Sequence, residues 1–127
     1  MMAVDTSALM AIVLDEPPAE VCMAALEVED RVVISAGTLA ETLIVSYQRG
    51  VLAEVSAIVE RLSFEIISVT PAGARRVAEA YARWGKGGHP AGLNFGDCFA
   101  YAAAKEHACP LLFVGKDFAR TDVGRVL

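Results

Sequence analysis

Acidic residues recur in this chain just after apolar segments or early in candidate helices: Asp5, Glu41, Asp97, Asp117 and Asp122. Carboxylates gathered in one place repel one another unless protonated or neutralised, and no Lys or Arg is interleaved tightly enough to neutralise them all. A hard divalent cation is the simplest counter-charge. Mg2+ takes oxygen ligands, usually one or two carboxylates with waters and substrate phosphate oxygens, and the chain offers acids without a His or Cys set of zinc-like spacing. Beside a phosphodiester such an ion activates water and stabilises charge during in-line displacement.

Each acid also has a plainer explanation. Asn94-x-x-Asp97 has the spacing of a capping box, with Asn94 as N-cap and a helix starting near Phe95. Thr38-x-x-Glu41 repeats the pattern at the head of a helix expected to run through Tyr47. Taken singly, either acid is accounted for by capping; several converging acids need a cation. Ala40, Leu43, Ile44 and Val45 predict a mostly buried helix around Glu41, where a carboxylate needs a partner.

The elements that must position these acids alternate along the chain. Met1 to Val4 reads as a short buried strand stopped by Asp5-Thr6-Ser7, with a short apolar helix over Ala8 to Leu14. After Asp15-Glu16-Pro17-Pro18 a second helix carries Val21, Ala24, Ala25 and Val28 on one face. Val32 to Ile34 suits a central parallel strand ended by Ser35-Ala36-Gly37, and Leu52, Val55, Ile58, Val59 and Leu62 keep helical spacing after the turn at Arg49-Gly50. Phe64 to Val69 is a third strand, Pro71 to about Trp84 a helix, Leu111 to Val114 a fourth strand, and Val126-Leu127 the stub of an edge strand. The stretch from Gly85 to Gly92 lacks the Ser or Thr after Lys86 and the preceding strand of a phosphate-binding P-loop, and its glycines predict a mobile loop. Such alternation predicts an α/β domain spanning residues 1–127, with a parallel sheet of four to five strands, helices on both faces, and ligands beyond the carboxyl ends of the strands. Asp5 and Asp117 fall at those ends; Glu41 and Asp97 lie a few residues into helices that begin on the same side.

At 127 residues, 55% hydrophobic and 21% charged, the chain is long and apolar enough for one core and far from disorder. The formal charge of -5 argues against holding nucleic acid by a broad basic surface, but not against a nuclease whose carboxylates gather at a metal site. Cys22, Cys98 and Cys109 form no CxxC pair and read as small buried hydrophobes of a reducing compartment, while His89 and His107 lack paired-ligand spacing. No stretch approaches the roughly 20 apolar residues of a membrane span, and Asp5 interrupts the place of a signal sequence, so a soluble cytoplasmic protein with no membrane partner is expected.

Val4-Asp5-Thr6-Ser7-Ala8-Leu9, Glu41 in its helix, Asn94-Phe95-Gly96-Asp97-Cys98-Phe99-Ala100-Tyr101-Ala102 and Leu111-Leu112-Phe113-Val114-Gly115-Lys116-Asp117-Phe118 together resemble the PIN-domain ribonucleases, and specifically the VapC toxins of bacterial toxin–antitoxin pairs. The likeness runs in order over nearly the whole chain. It implies a PIN-like three-layer sandwich, Mg2+-dependent RNA cleavage with Mn2+ as a substitute, a homodimer, and a cognate antitoxin whose tail blocks the active site. By position, Asp5 and Asp97 would be the principal metal ligands, and Glu41 and Asp117 would complete the acidic cluster. Thr6 and Ser7 would be supporting hydroxyls, Asn94 a brace, and Asp122 either a fifth acid or a residue behind the cluster. The apolar residues Leu43, Ile44, Tyr47, Leu52 and Val55, more than one small sheet can cover, also predict an isologous dimer. Two alternatives compete: a PIN-like RNA-binding module without activity, and a receiver-like phosphorylation switch, which needs an acceptor Asp where Ser35 and Ser68 stand.

Overall fold

Four strands and six helices alternate along residues 1–127, all of which the computed structural model describes: β1 (Met2–Val4), α1 (Thr6–Val13), α2 (Ala19–Val28), β2 (Val32–Ser35), α3 (Ala36–Arg49), α4 (Leu52–Arg61), β3 (Glu65–Ile67), α5 (Pro71–Trp84), α6 (Phe95–Glu106) and β4 (Leu111–Leu112). Because successive side chains of a strand point to opposite faces, the apolar residues of β1, β2 and β4 feed two cores. Ala3, Val33, Leu111 and Phe113 pack with Val77, Ala80 and Trp84 of α5 and Cys98, Tyr101 and Ala104 of α6. Met2, Val4, Val32, Ile34 and Leu112 pack on the other face with Leu9 of α1, Cys22 and Leu26 of α2, and Ile58 of α4. The expected three-layer sandwich is therefore present.

All strand pairs are parallel, in the order β3-β2-β1-β4. The chain moves outward from β1 through β2 to β3, then returns to place β4 on the other side of β1. Strand order thus reverses between β1 and β4, and a crevice opens at such a switch point beyond the carboxyl ends of the strands. Asp5 is the residue immediately after β1. The anticipated fifth strand is only a single parallel bridge between Leu111 and Arg125, so the stub lies one residue earlier than Val126.

Helix faces depart from the sequence expectation in two places. In α2 the buried residues are Ala19, Cys22 and Leu26, while Val21 and Val28 are exposed, Val28 at 82%. The stripe is rotated because Cys22 and Leu26 are the residues that meet α1 and the sheet. In α3 the helix starts at Ala36, where the Ser35 hydroxyl caps it by accepting from the Gly37 N–H at 3.2 Å. Thr38 and Glu41 therefore lie inside the helix and do not form a capping box. The buried stripe of α3 is Thr38, Thr42 and Ser46, whereas Ile44 and Tyr47 are 60% and 76% exposed. Hydroxyls tolerate this burial by turning back onto the helix: Thr42 Oγ1 donates to the Thr38 carbonyl at 2.8 Å and Ser46 Oγ to the Thr42 carbonyl at 2.6 Å. Gly50, in the left-handed region at φ 71, ends the helix. Val55, expected on the exposed apolar surface, is fully buried.

Thr38 Oγ1 is the exception in that stripe, buried with no hydrogen-bond partner. Thr38→Val, which keeps the shape and removes the unsatisfied hydroxyl, is expected to stabilise the protein by about 1 kcal/mol, read as a melting temperature higher by about 4 °C. A lower melting temperature would mean that the hydroxyl is bonded in solution.

The glycine-rich stretch before α6 has its ends tied together by backbone hydrogen bonds. Lys86 N donates to the Leu93 carbonyl and Leu93 N to the Trp84 carbonyl, closing its ends, while Ala91 N donates to His89 Nδ1 at 2.9 Å. The His89 ring packs edge-on to Trp84 with centroids 4.7 Å apart. These contacts deliver the chain to Asn94 in a set position. No helix is long and apolar enough to cross a membrane.

Candidate active site

Asp5 leaves β1 with extended backbone (φ -98, ψ 156) and caps α1, its Oδ2 accepting from the Ser7 N–H at 3.0 Å and the Ser7 hydroxyl at 2.7 Å. Ser7 Oγ in turn accepts from Val114 N at 3.0 Å, so this hydroxyl ties the head of α1 to the chain leaving β4. Asp5 is only 4% exposed, and its second oxygen, Oδ1, is buried with no partner. Burial pushes its carboxyl up to about 6; the Ser7 hydroxyl and N–H oppose that rise, and the charge of Glu41 adds to it. Capping uses one oxygen and leaves the other free.

Asp97 combines two roles in the same way. Its N–H donates to Asn94 Oδ1 at 2.8 Å and its Oδ2 accepts from Asn94 N at 3.0 Å, the complete capping box expected from the sequence. A solvated capping acid would stay near its ordinary value, but Asp97 is 7% exposed and burial pushes it up to about 7. The Asn94 N–H resists that rise, and the charges of Asp5, Asp117 and Glu41 reinforce it. Mutual repulsion of this kind is the electrostatic signature of convergence.

Glu41 reaches the group from α3. Thr6 Oγ1 donates to Glu41 Oε1 at 2.7 Å and meets Thr42 Oγ1 at 2.8 Å, so Thr6 braces Glu41 while Ser7 braces Asp5. Asp117 is exposed on the segment after β4, where its charge is felt at Asp97. Thr42 and Gly96, which underlies Glu41, were missed by the sequence reading. The signal for Thr42 was the hydroxyl spacing of four in Thr38, Thr42 and Ser46, one stripe of a helix.

Asp122 is not brought to this group. Its Oδ1 accepts from the Tyr101 hydroxyl at 2.5 Å, and Tyr101 accepts from Trp84 Nε1 at 3.0 Å. Its Oδ2 faces Lys105 at 3.4 Å and Arg83 at 3.5 Å. The Tyr101 hydroxyl first, then Lys105 and Arg83, hold its carboxyl below the usual range. Asp122→Asn preserves an acceptor for Tyr101 and is expected to leave the activity of the acidic group within about twofold of wild type, as for a substitution outside that group. A loss of activity as large as that of the cluster acids would return Asp122 to the site.

No three of the acidic, His or Cys side chains stand close enough to form a complete metal cage. Mg2+ does not need one, because it keeps several waters and is held by one or two carboxylates. The donor set fits such an ion: all oxygen, with the unpartnered Asp5 Oδ1 beside a carboxyl at Asp97 that carries a repulsion penalty when ionised.

The PIN-domain family model matches residues 2–124. This chain is a PIN domain of the VapC ribonuclease family. The PIN domain is 43% identical over 130 residues to a ribonuclease VapC of Mycolicibacterium smegmatis, covering 98% of this chain and 99% of the relative. It is 48% identical over 128 residues to ribonuclease VapC36 of Mycobacterium tuberculosis, covering 96% and 91%. Among solved structures its fold is similar to Mycobacterium tuberculosis VapC20, a sarcin–ricin loop cleaving toxin, with a TM-score of 0.80 and 17% identity over 99% of this chain and 98% of that one. It is also similar to DNA-bound VapBC from Salmonella typhimurium, with a TM-score of 0.72 and 18% identity over 98% and 94%. At these identities the structures speak for the fold of the PIN domain alone.

Proposed function

We propose that this PIN domain is a divalent-metal-dependent endoribonuclease and the toxin of a toxin–antitoxin pair. The observation that carries the proposal is the acidic group at the β1/β4 switch point, in which buried Asp5 leaves one oxygen unpartnered and buried Asp97 feels the charges of Asp5, Asp117 and Glu41. Asp5 and Asp97 would hold Mg2+, or Mn2+ in its place, and Glu41 and Asp117 would complete the negative wall. Ser7, Asn94 and Thr6 hold Asp5, Asp97 and Glu41, respectively, in place before substrate arrives. A cation held there would supply a water of lowered pKa for attack on the phosphodiester and would offset charge on its oxygens. The net charge of -5 leaves RNA to be drawn in by this local reversal of sign.

The relatives are named ribonucleases, and the similar Salmonella typhimurium structure is a VapBC complex, which favours an antitoxin as this chain's partner. Exposed Ile44, Tyr47 and Leu52 favour a homodimer. An antitoxin acting by charge would place an Arg against the acids, where its fixed cation substitutes for the metal.

The decisive experiment incubates purified protein with a defined RNA pool, with Mg2+, with Mn2+ and with EDTA. Cleavage with either ion and none in EDTA is expected. Cleavage undiminished by EDTA would remove the metal from the mechanism, and no cleavage with either ion would favour an RNA-binding module.

A further inference from the structure

Helices α3 and α6 meet through a reciprocal pair of glycines. Gly37 is the second residue of α3 and Gly96 the second residue of α6. A Cβ on Gly96 would fall 2.6 Å from Glu41 Cδ and run into Glu41 Oε2. A Cβ on Gly37 would fall 2.6 Å from Phe99 Cγ and 2.7 Å from its Cε1. Each helix therefore leaves a side chain out where the other inserts one.

Neither inserted group can step aside without consequence. Glu41 Oε1 is held by the Thr6 hydroxyl at 2.7 Å, so swinging the carboxylate away from Gly96 breaks that bond. Phe99 is packed edge-to-face on Phe95, with centroids 5.0 Å apart, so relief at Gly37 disturbs that pair. The missing Cβ at Gly96 also lets the Glu41 carboxylate lie against the first turn of α6, where unpaired N–H groups and the positive end of the helix dipole favour an anion. Asp97 is the next residue of that turn.

We propose that Gly96, seconded by Gly37, is a positioning residue: its bare Cα is the seat that holds Glu41 against the start of α6, within reach of Asp97. This rests on the proposed role of Glu41 in the acidic cluster. Gly96→Ala should displace the carboxylate while favouring the helix, so the protein stays folded and loses its alignment.

The test is a double-mutant cycle on RNA cleavage, with Glu41→Gln as reference and melting followed by circular dichroism. Gly96→Ala is expected to lower cleavage by about 100-fold, as a misplacement of about 1 Å does, with no fall in melting temperature. With the shorter Glu41→Asp already present, the same Gly96→Ala change should cost less than about threefold, because the clashing atoms have been withdrawn. Full activity in Gly96→Ala beside an inactive Glu41→Gln would overturn the proposal, as would equal losses in both backgrounds. A double variant that fails to fold would also overturn it, since the clash would then lie with the backbone. Undiminished cleavage by Glu41→Gln would instead sink the role of Glu41 itself.

Discussion

Asp97→Asn is expected to keep the fold and abolish RNA cleavage, by more than about 100-fold, because it removes charge and leaves the cap in place. An Asn amide oxygen still accepts from the Asn94 N–H, and the backbone N–H of residue 97 still donates to Asn94 Oδ1. Asn and Asp are about equally good in capping roles, but only the carboxylate supplies the charge of a Mg2+ ligand. Asp5→Asn makes the same separation, since its amide oxygen serves the two Ser7 donors while the bare Oδ1 is exchanged for an uncharged group. Relief of repulsion should make both metal-free variants at least as stable as wild type at neutral pH. The measurements are cleavage and thermal melting with and without Mg2+. Full cleavage by Asp97→Asn would remove that residue from the chemistry, and a loss of several kcal/mol without metal would mark it as structural.

The second large effect is on stability itself. Both carboxyls titrate higher in the folded chain, Asp5 at about 6 and Asp97 at about 7 against 3.8 for the ordinary group. Between those values the native protein holds protons that the unfolded chain has released, so the stability of the metal-free protein falls as pH rises. Their contribution is complete below about pH 4 and lost through about pH 7, on the order of a few kcal/mol for both together. Glu65 and Asp122, held low by Arg31 and by Tyr101 with Lys105, oppose this only under more acidic conditions. Added Mg2+ should reverse the trend, stabilising more at about pH 8 than at about pH 5, because its ligands must be ionised. Urea unfolding of the metal-free protein across this range reads the slope directly. Stability rising steadily from about pH 5 to about pH 8 would contradict the burial that raises both carboxyls, and the slope should flatten when Asp5→Asn and Asp97→Asn are combined.

Local chemistry made much of this protein legible in its sequence. Asn94, Phe95 and Asp97 specify the start of α6 with its complete capping box, because a cap involves only residues within one turn. Apolar runs bounded by turn residues announced the alternation of strands and helices, and the ordered recurrence of acids with their neighbours marked the family. Thr38-x-x-Glu41 carries the same local signal and has a different fate. Ser35 starts α3 earlier, and Glu41 takes its hydrogen bond from Thr6, 35 residues away. Asp122 and Asp117 looked alike as acids of the last segment, but Tyr101, Lys105 and Arg83 hold the first in a separate network while the charge of the second is felt at Asp97. The buried face of α2, the hydroxyl stripe of α3 and the seat of Glu41 on Gly96 were likewise decided by which helices meet. Propensity, capping and periodicity act over a few residues, so sequence determines where elements begin and which acids are available. Burial, repulsion and hydrogen-bond partners depend on distances across the chain, so only the packed sheet and helices decide which of those acids face one another.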